Sequence, residues 1–333
     1  MKTLSAIDIG YNAVKVMATN GRKGDFPSVV GTERRATFSL DEAKRSALTI
    51  TMPNDQTWYV GHTALKKSDY VSGRRDPDWI TQEPYHVLLC AALSELHKGS
   101  ATTSVVTGLP IEHYTALAEK AREVFIGQHT FRRNGGRWQT VTIEDALVIT
   151  QPYGSLLDLA LADNGRILDN VFATGMVAIA DLGGMTLNLL VADALEEVGR
   201  WTVGDGLGLL KALDAIARDI RTDHPGFSPK AREVAGWLAM GRFPYQGKEL
   251  DIAPYAAPHL EPLVSLVLDR ISEVWDEPAR YAAVILTGGG SIALGPALRA
   301  RMNGVFANVT LVQDAAFANA RGYLRLARRL WEE

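Results

Sequence analysis

The chain has 333 residues with 35 Lys and Arg against 38 Asp and Glu, a formal net charge of −3. This length allows two domains with complete cores, and the charge gives no reason to expect direct binding of nucleic acid or an anionic membrane. The single cysteine, Cys90, cannot form an internal disulfide, build a cysteine-based metal site or hold an iron–sulfur cluster, which favours a reducing compartment. No signal-peptide pattern and no long apolar run is present, so we expect a cytoplasmic protein with no membrane partner.

The first half of the chain predicts strands that alternate with helices. It opens with a hairpin of two strands over residues 4–18 around Gly10. Asn134-Gly135-Gly136 favours a tight hairpin turn, because Asn and Gly accept positive φ angles. The other expected elements are strands over 57–60, 104–107, 140–143 and 146–150 and helices over 84–98, 112–126 and 156–162, with a break at Gln151–Ser155.

The second half predicts the same alternation. Two strands, 177–182 and 186–192, again form a hairpin, and a helix over 209–221 carries an apolar stripe. The prolines of 223–262 favour short elements separated by turns. The remaining expected elements are strands over 200–203, 281–286 and 309–312 and helices over 262–276, 294–302 and 317–330. The pattern predicts an α/β fold in each half.

One acidic hairpin occurs twice in this sequence. Asp8 aligns with Asp181, Gly10 with Gly183, and Lys15 with Asn188. Such a repeat predicts two similar lobes with a cleft between them that could hold a metal ion and a phosphate chain. A lone Asp-x-Gly is weak evidence because Asp and Gly are common in turns. Two aligned copies with flanking strands are much stronger evidence.

The residues of the repeat suit a hydrated Mg²⁺ ion and a phosphate chain. Mg²⁺ takes one or two carboxylates together with waters and substrate phosphates, and Asp8 and Asp181 could supply the carboxylates. Lys15 could reach a phosphate as a point charge, and Thr186 adds a hydroxyl. Glycines let phosphate oxygens approach the backbone amides.

Other candidate sites are fewer. Gly288-Gly289-Gly290 follows a buried strand, where a flat ligand could lie against the backbone or where the loop simply opens a helix. Gln151, at a strand end, could orient an attacking water. The seven histidines show no metal-ligand spacing, and neither a Walker motif, a Rossmann motif nor a Ser/His/Asp arrangement stands out.

The order of these motifs resembles the five nucleotide-site motifs of the actin/Hsp70/sugar-kinase superfamily, and Ile7–Lys15 is similar to the opening of the ParM/StbA plasmid-segregation actins. The motifs, called phosphate 1, connect 1, phosphate 2, adenosine and connect 2, correspond to Asp8–Lys15, Gln151–Gly154, Asp181–Thr186, Thr287–Ser291 and Asn319–Gly322. This resemblance implies a two-lobed actin-like fold of duplicated ribonuclease-H-like domains. The implied first lobe spans 1–155 with a subdomain at about 20–80 and is completed by 315–333; the second spans 156–314 with a subdomain at about 205–262.

The resemblance also implies ATP, or alternatively GTP, bound with Mg²⁺ in the cleft. Asp8 and Asp181 would organise the metal and take part in catalysis with Gln151, which would align the water. The implied nucleotide-binding residues are Gly10, Tyr11, Asn12, Lys15, Gly183, Gly184, Met185, Thr186, Gly206, Gly288, Gly289, Gly290 and Ser291. Two positions depart from the family pattern: Tyr11 replaces a common hydroxyl residue, and Asn188 stands where phosphate 2 often ends in Asp.

The function implied by the resemblance is an ATPase that forms head-to-tail filaments and segregates plasmid DNA through a DNA-binding adaptor on a centromere-like site. The alternatives are a small-molecule kinase or phosphatase of the same superfamily and a non-segregating cytoskeletal scaffold. A chaperone is not expected, because little chain follows residue 324. We expect filament contacts at the basic loop 66–75 and at Phe243–Tyr255, and a solvated helix face for the arginines at 321, 325, 328 and 329.

Overall fold

The computed structural model describes residues 3–32, 47–68, 71–73 and 77–332. The chain divides into two compact units, one formed by Met1–Leu168 with Asn319–Glu333 and the other by Asp169–Ala318. The sequence places the corresponding boundaries after residues 155 and 314. The segment after residue 155 remains with the first unit because Asp158 and Asp163 bind arginines of the C-terminal helix.

The first unit is built on a mixed sheet that begins with the expected hairpin. Its described strands are β1 (Thr3–Ile9), β2 (Ala13–Ala18), β3 (Lys23–Pro27), β4 (Val29–Thr32), β5 (Thr49–Thr51), β6 (Thr57–Val60), β7 (Val71–Gly73), β8 (Ala101–Leu109), β9 (Gly127–Arg133) and β10 (Trp138–Thr150). They form a 10-stranded sheet in the order β3-β2-β1-β8-β10-β9-β5-β6-β4-β7. β1 pairs with β8 in parallel, so the end of β1 lies beside the end of β8.

The β9–β10 hairpin confirms the turn predicted from Asn134-Gly135, because these residues have φ angles of 51° and 66°. β10 is one strand where the sequence suggests two. An irregularity in its pairing with β8, between Ile143 and Asp145, marks the point where the prediction places the gap. A strand can absorb such an irregularity as a bulge without ending.

The described helices of the first unit, before the C-terminal one, are α1 (His62–Lys67), α2 (Glu83–Leu96), α3 (Ile111–Phe125) and α4 (Gln151–Ala160). α2 is almost wholly apolar, and every residue of Val87–Leu93 is buried in the core of this unit. α4 begins at Gln151, so the predicted break at Gln151–Ser155 is wrong. Pro152 lies in the first turn, where proline removes no intrahelical hydrogen bond.

The second unit repeats a hairpin followed by parallel pairing. Its elements are α5 (Val171–Thr174), β11 (Met176–Leu182), β12 (Leu187–Asp193), β13 (Glu196–Glu197), β14 (Val203–Asp205), α6 (Leu210–Asp223), α7 (Ala231–Met240), β15 (Arg242–Tyr245), β16 (Lys248–Asp251), α8 (Ala253–Val274), β17 (Ala283–Thr287), α9 (Ser291–Met302) and β18 (Val309–Leu311). The main sheet has the order β13-β12-β11-β17-β18, with β14 also paired to β12. β11 and β17 run parallel, as β1 and β8 do.

The proline-rich segment differs from its prediction. α8 starts at Ala253 and continues for 22 residues with Pro258 and Pro262 inside it, where the sequence suggests turns as far as residue 262. Val264, Val267 and Ile271 bury one face of this helix, and such packing outweighs the low helix propensity of proline. Phe243, which starts one predicted filament surface, is fully buried in the core of the second unit.

The last helix, α10 (Ala318–Trp331), packs Tyr323, Leu324 and Ala327 against buried residues of β1 and β8. Three of its arginines depart from the predicted solvated face, because Arg321, Arg325 and Arg328 are only partly exposed, whereas Arg329 is exposed as predicted. Each binds an acidic side chain or a carbonyl oxygen of residues 158–165; the bonds run from Arg321 to Asp158, from Arg325 to Asp158 and Asp163, from Arg328 to Asp163, and from Arg329 to Gly165. Among the described helices, none is both long and apolar enough to cross a membrane.

Candidate functional site

The first hairpin carries the predicted carboxylate at the end of β1. Asp8 lies directly opposite Lys15 on β2, and its side chain is buried. The Lys15 Nζ atom is 3.9 Å from the Asp8 Oδ2 atom. The backbone N–H of Gly10 donates to the Ala13 carbonyl at 3.1 Å and closes the turn between the strands. The hairpin therefore holds a carboxylate and an ammonium group side by side next to a glycine turn.

Gln151 completes this group in the first unit. Its side-chain amide donates to Asp8 Oδ1 at 2.6 Å, and its own carbonyl accepts from the Tyr323 hydroxyl at 3.3 Å. Tyr323 also lies against Gly108, where an added Cβ would stand 2.0 Å from the tyrosine oxygen. Tyr323 is not among the predicted site residues, although the motif Asn319–Gly322 ends immediately before it. Gln151 is thus fixed at both its side chain and its backbone.

Tyr11 and Asn12 occupy the tip of the first hairpin. The Tyr11 hydroxyl is 3.0 Å from the Nε2 atom of His113, and Asn12 is exposed. Ser28, which the sequence analysis does not identify, donates its hydroxyl to the Gly10 carbonyl at 2.6 Å and its N–H to the Asn12 carbonyl at 3.0 Å. A serine directly after a proline offers no distinctive sequence signal for this role. These bonds hold the tip in one conformation.

The second hairpin has the same backbone with different side chains. Asp181 lies opposite Asn188, and the Gly183 N–H donates to the Thr186 carbonyl at 2.8 Å. The Asn188 side chain, 1% exposed, donates to the Thr186 hydroxyl at 3.3 Å. The position that holds a cation in the first hairpin therefore holds a neutral amide in the second.

The glycine loop after β17 packs against this second carboxylate. Gly288 has a φ of +84°, and a Cβ added there would stand 2.1 Å from Asp181 Oδ1. Gly290 donates its N–H to the Leu182 carbonyl at 2.7 Å, and Ser291 donates its hydroxyl to the Gly288 carbonyl at 2.7 Å. Gly289 is different, because an added Cβ would meet open space. Only glycine allows the loop to approach the carboxylate this closely.

The start of α6 also packs against the turn of the second hairpin and hydrogen-bonds to it. Leu210 donates its N–H to the Gly184 carbonyl at 2.7 Å. A Cβ on Gly208 would stand 2.3 Å from the backbone of Met185, whereas one on Gly206 would meet open space. Met185 itself is 39% exposed. The turn at residues 183–186 is therefore fixed by its backbone and keeps its tip accessible.

The donor set in each unit fits a phosphate and a hydrated Mg²⁺ ion. Each hairpin places one buried carboxylate at a strand end beside a glycine turn, and Mg²⁺ is held by one or two carboxylates together with waters and phosphate oxygens. Lys15 adds a positive charge for phosphate in the first unit, and the Thr186 hydroxyl adds a polar group in the second.

Family models match both halves of the chain. A model described as the N-terminal domain of actin like proteins matches residues 6–154, and one described as the C-terminal part of the archaeal actin homologue MreB-like matches residues 179–300. Both models describe actin-like proteins, and the chain has the actin-like fold. The duplicated hairpins of this actin-like chain lie at the beginning of each matched region.

Relatives cover the actin-like chain almost from end to end. An archaeal actin homolog of Thermoplasma acidophilum is 23% identical over 338 residues, which is 97% of this chain and 98% of the relative. The crystal structure of the archaeal actin homolog Ta0583 superposes with a TM-score of 0.83 at 21% identity over 99% of this chain and 100% of that one. A 15-stranded ParM filament from Clostridium botulinum gives a TM-score of 0.76 at 19% identity over 98% and 99%. The predicted α/β actin-like fold is confirmed.

Proposed function

We propose that this actin-like chain binds ATP with Mg²⁺ and hydrolyses it. The observation that carries the proposal is the duplicated hairpin, in which Asp8 and Asp181 occupy equivalent positions beside glycine turns of equal geometry. The structure of Ta0583 in complex with ADP, which superposes with a TM-score of 0.79, supports an adenine nucleotide over GTP.

Each polar group has a proposed role. Lys15 binds phosphate oxygens, and Asp8 and Asp181 hold the waters of the Mg²⁺ ion. Bound Mg²⁺ would neutralise charge on the phosphate oxygens. Gln151 orients the attacking water with its side-chain amide, whose direction is set by its bond to Asp8. The remaining proposed nucleotide contacts are the hairpin tips at Gly10–Asn12 and Gly183–Thr186, the loop Gly288–Ser291, and Gly206.

We further propose that the chain assembles with itself head to tail into filaments, and that hydrolysis weakens them. A head-to-tail contact that does not close into a ring produces an open helix. The similarity to a ParM filament supports assembly into filaments. We extend the proposal to segregation of plasmid DNA through a DNA-binding adaptor. Of the predicted basic contact loop, Lys66 and Lys67 lie at the end of α1, whereas residues 69, 70 and 74–76 lie outside the described residues.

Pelleting and light scattering with ATP and Mg²⁺, with ADP and Mg²⁺, and without nucleotide test the proposed assembly. We expect polymer with ATP, and a scattering signal that decays as ATP is consumed. The absence of polymer at tens of micromolar protein, combined with ATP turnover that a sugar accelerates, would contradict it and favour a small-molecule kinase.

A further inference from the structure

Three metal-ligating side chains meet in the first unit, outside the two hairpins. His86 and Cys90 lie one helical turn apart on α2, and His129 lies on β9. One ligand atom from each residue lies within 4.8 Å of the other two. The sequence predicts no metal-ligand spacing among the seven histidines and no cysteine-based metal site. A His and a Cys at positions i and i+4, joined by a histidine from a neighbouring strand, form a mixed set that this prediction does not consider.

The hydrogen bonds of the two histidines fix which ring atoms carry protons. The Nε2 atom of His129 is 2.7 Å from the Phe125 carbonyl oxygen, and its Nδ1 atom is 3.1 Å from Nε2 of His86. A carbonyl only accepts, so Nε2 of His129 is the protonated nitrogen and Nδ1 presents a lone pair. Metal-bound histidines commonly donate their second ring N–H to a backbone carbonyl in this way, which fixes the ring orientation.

The three groups are largely shielded from water, since Cys90 and His129 are buried and His86 is half-buried. Neutral imidazole and thiolate are the forms that bind metals, so a bound cation would replace the proton of the Cys90 thiol.

We propose that His86, Cys90 and His129 form a binding site for one Zn²⁺ ion, with a water as the fourth ligand. Zn²⁺ favours tetrahedral sites of sulfur and nitrogen, with bonds of about 2.3 Å and about 2.0–2.1 Å. Ligand atoms of such a site lie about 3.3–3.8 Å apart. The two histidine nitrogens are already 3.1 Å apart, so small movements of the side chains are sufficient.

Binding requires two proton movements besides the small side-chain shifts. The thiol proton of Cys90 is released to solvent, and the His86 proton moves from Nε2 to Nδ1 so that Nε2 can bind the ion. His86 is half-buried and lines a surface cleft with Met52, Asn54, Thr81 and Gln82, which gives the ion a path from solvent.

The proposed ion would connect α2 to β9. Helix α2 supplies much of the core of the first unit, so the metal would stabilise that unit against unfolding. The site is distinct in chemistry from the carboxylates of the hairpins, because Mg²⁺ prefers oxygen ligands and Zn²⁺ prefers sulfur and nitrogen. The proposed zinc site therefore shares no ligand with the proposed nucleotide site.

Titration of the chelator-treated protein with Co²⁺, followed by Zn²⁺, tests this site. Cobalt bound to a thiolate gives an absorption band that cobalt on nitrogen and oxygen ligands lacks, and Cys90 is the single cysteine of the chain. We expect a thiolate band that saturates at one equivalent of Co²⁺ and disappears when Zn²⁺ replaces the cobalt. Zn²⁺ should also raise the midpoint of thermal unfolding. Mg²⁺ should neither displace the cobalt nor raise this midpoint.

Variants assign the ligands. Cys90→Ala, with Cys90→Ser as a second variant, should lose the band, and His86→Gln should weaken Co²⁺ binding by at least about 100-fold, more than loss of an outer-shell partner usually costs. His62→Gln, which removes an exposed histidine on α1, serves as the matched control and should bind as the wild type does. Near-UV circular dichroism verifies that each variant is folded.

The proposal is overturned if the folded wild-type protein gives no thiolate band with excess Co²⁺. It is also overturned if folded His86→Gln binds Co²⁺ as tightly as His62→Gln does, since loss of a ligand imidazole must weaken binding of the metal.

Discussion

The hairpins β1–β2 and β11–β12 have the same backbone and different chemistry. In both, an aspartate ends the first strand, and a glycine N–H closes the turn by donating to the carbonyl three residues on. Opposite the aspartate, however, the first hairpin has Lys15 and the second has Asn188. We propose that this exchange separates two tasks, with phosphate bound mainly by the first hairpin and the metal positioned mainly by the second.

The strands beside the two hairpins show the same divergence. In the parallel pairs, Thr107 of β8 lies opposite Ile7, one residue before Asp8, whereas Thr287 of β17 lies opposite Asp181 itself. Gly108 makes room for the Tyr323 hydroxyl, whereas Gly288 makes room for the Asp181 carboxylate. A glycine beside each hairpin thus accommodates a helix side chain in one unit and the hairpin carboxylate in the other.

The largest effect is expected from Asp181→Ala. Loss of the carboxylate that we propose to hold the metal in the second hairpin should reduce ATP hydrolysis by about 1,000-fold or more, because metal stabilisation of the transition state amounts to several kcal/mol. Phosphate release measures this rate. Asp193→Ala, at the exposed end of β12, is the matched control and should hydrolyse ATP normally. Equal rates in the two variants would show that the second hairpin does not serve catalysis.

Gly288→Ala should destabilise the second unit by about 2–4 kcal/mol. Alanine at a φ of +84° is strained, and its Cβ would overlap with Asp181 Oδ1 at 2.1 Å. Gly289→Ala is the control, since its Cβ would enter open space. Urea unfolding of both variants gives the difference. Similar midpoints would mean that the loop does not pack on the carboxylate.

Gln151→Ala separates binding from hydrolysis. Without the amide that is 2.6 Å from Asp8, the attacking water would no longer be oriented, so we expect hydrolysis to slow by about 100-fold, comparable with the smaller effects of positioned catalytic side chains, while ATP still binds and polymer still forms. Single-turnover hydrolysis and fluorescent-nucleotide binding measure the two separately. Gln128→Ala, at an exposed position on β9, is the control. If Gln151→Ala loses ATP binding, Gln151 is a binding residue and the role given to it is wrong.

The smallest effect is expected from Lys15→Asn, which gives the first hairpin the residue of the second. One charged hydrogen bond to phosphate contributes about 1.5–3 kcal/mol, so ATP affinity should fall by about 10–100-fold. Lys98→Asn, which changes an exposed lysine in the same unit, should have no effect. Unchanged affinity in Lys15→Asn would remove the distinction between the two hairpins.

Local signals were sufficient to predict the hairpins and the α/β fold. Alternating apolar strands, Asp-x-Gly turns and Asn134-Gly135 each determine backbone geometry over a few residues, and the structure has these turns where expected. The apolar stripe of α6 also follows its prediction: Leu213, Ile216, Ala217 and Ile220 are buried, and the first predicted member, Leu210, is half-buried.

The remaining features depend on contacts between distant residues. Pro152 and Pro258 are helix breakers by propensity, yet α4 and α8 include them because of position and packing. The helix α10 arginines look solvated until Asp158 and Asp163 are placed beside them. Tyr323 against Gly108 likewise has no local pattern that sequence alone could supply.

Calorimetric titration of the protein with a non-hydrolysable ATP analogue and Mg²⁺ tests the central proposal that the chain binds ATP with Mg²⁺ through residues of the two hairpins. We predict one nucleotide per chain, with weaker binding in Lys15→Asn and in Asp181→Ala. Two nucleotides per chain, no binding, or an affinity that neither variant changes would contradict the account.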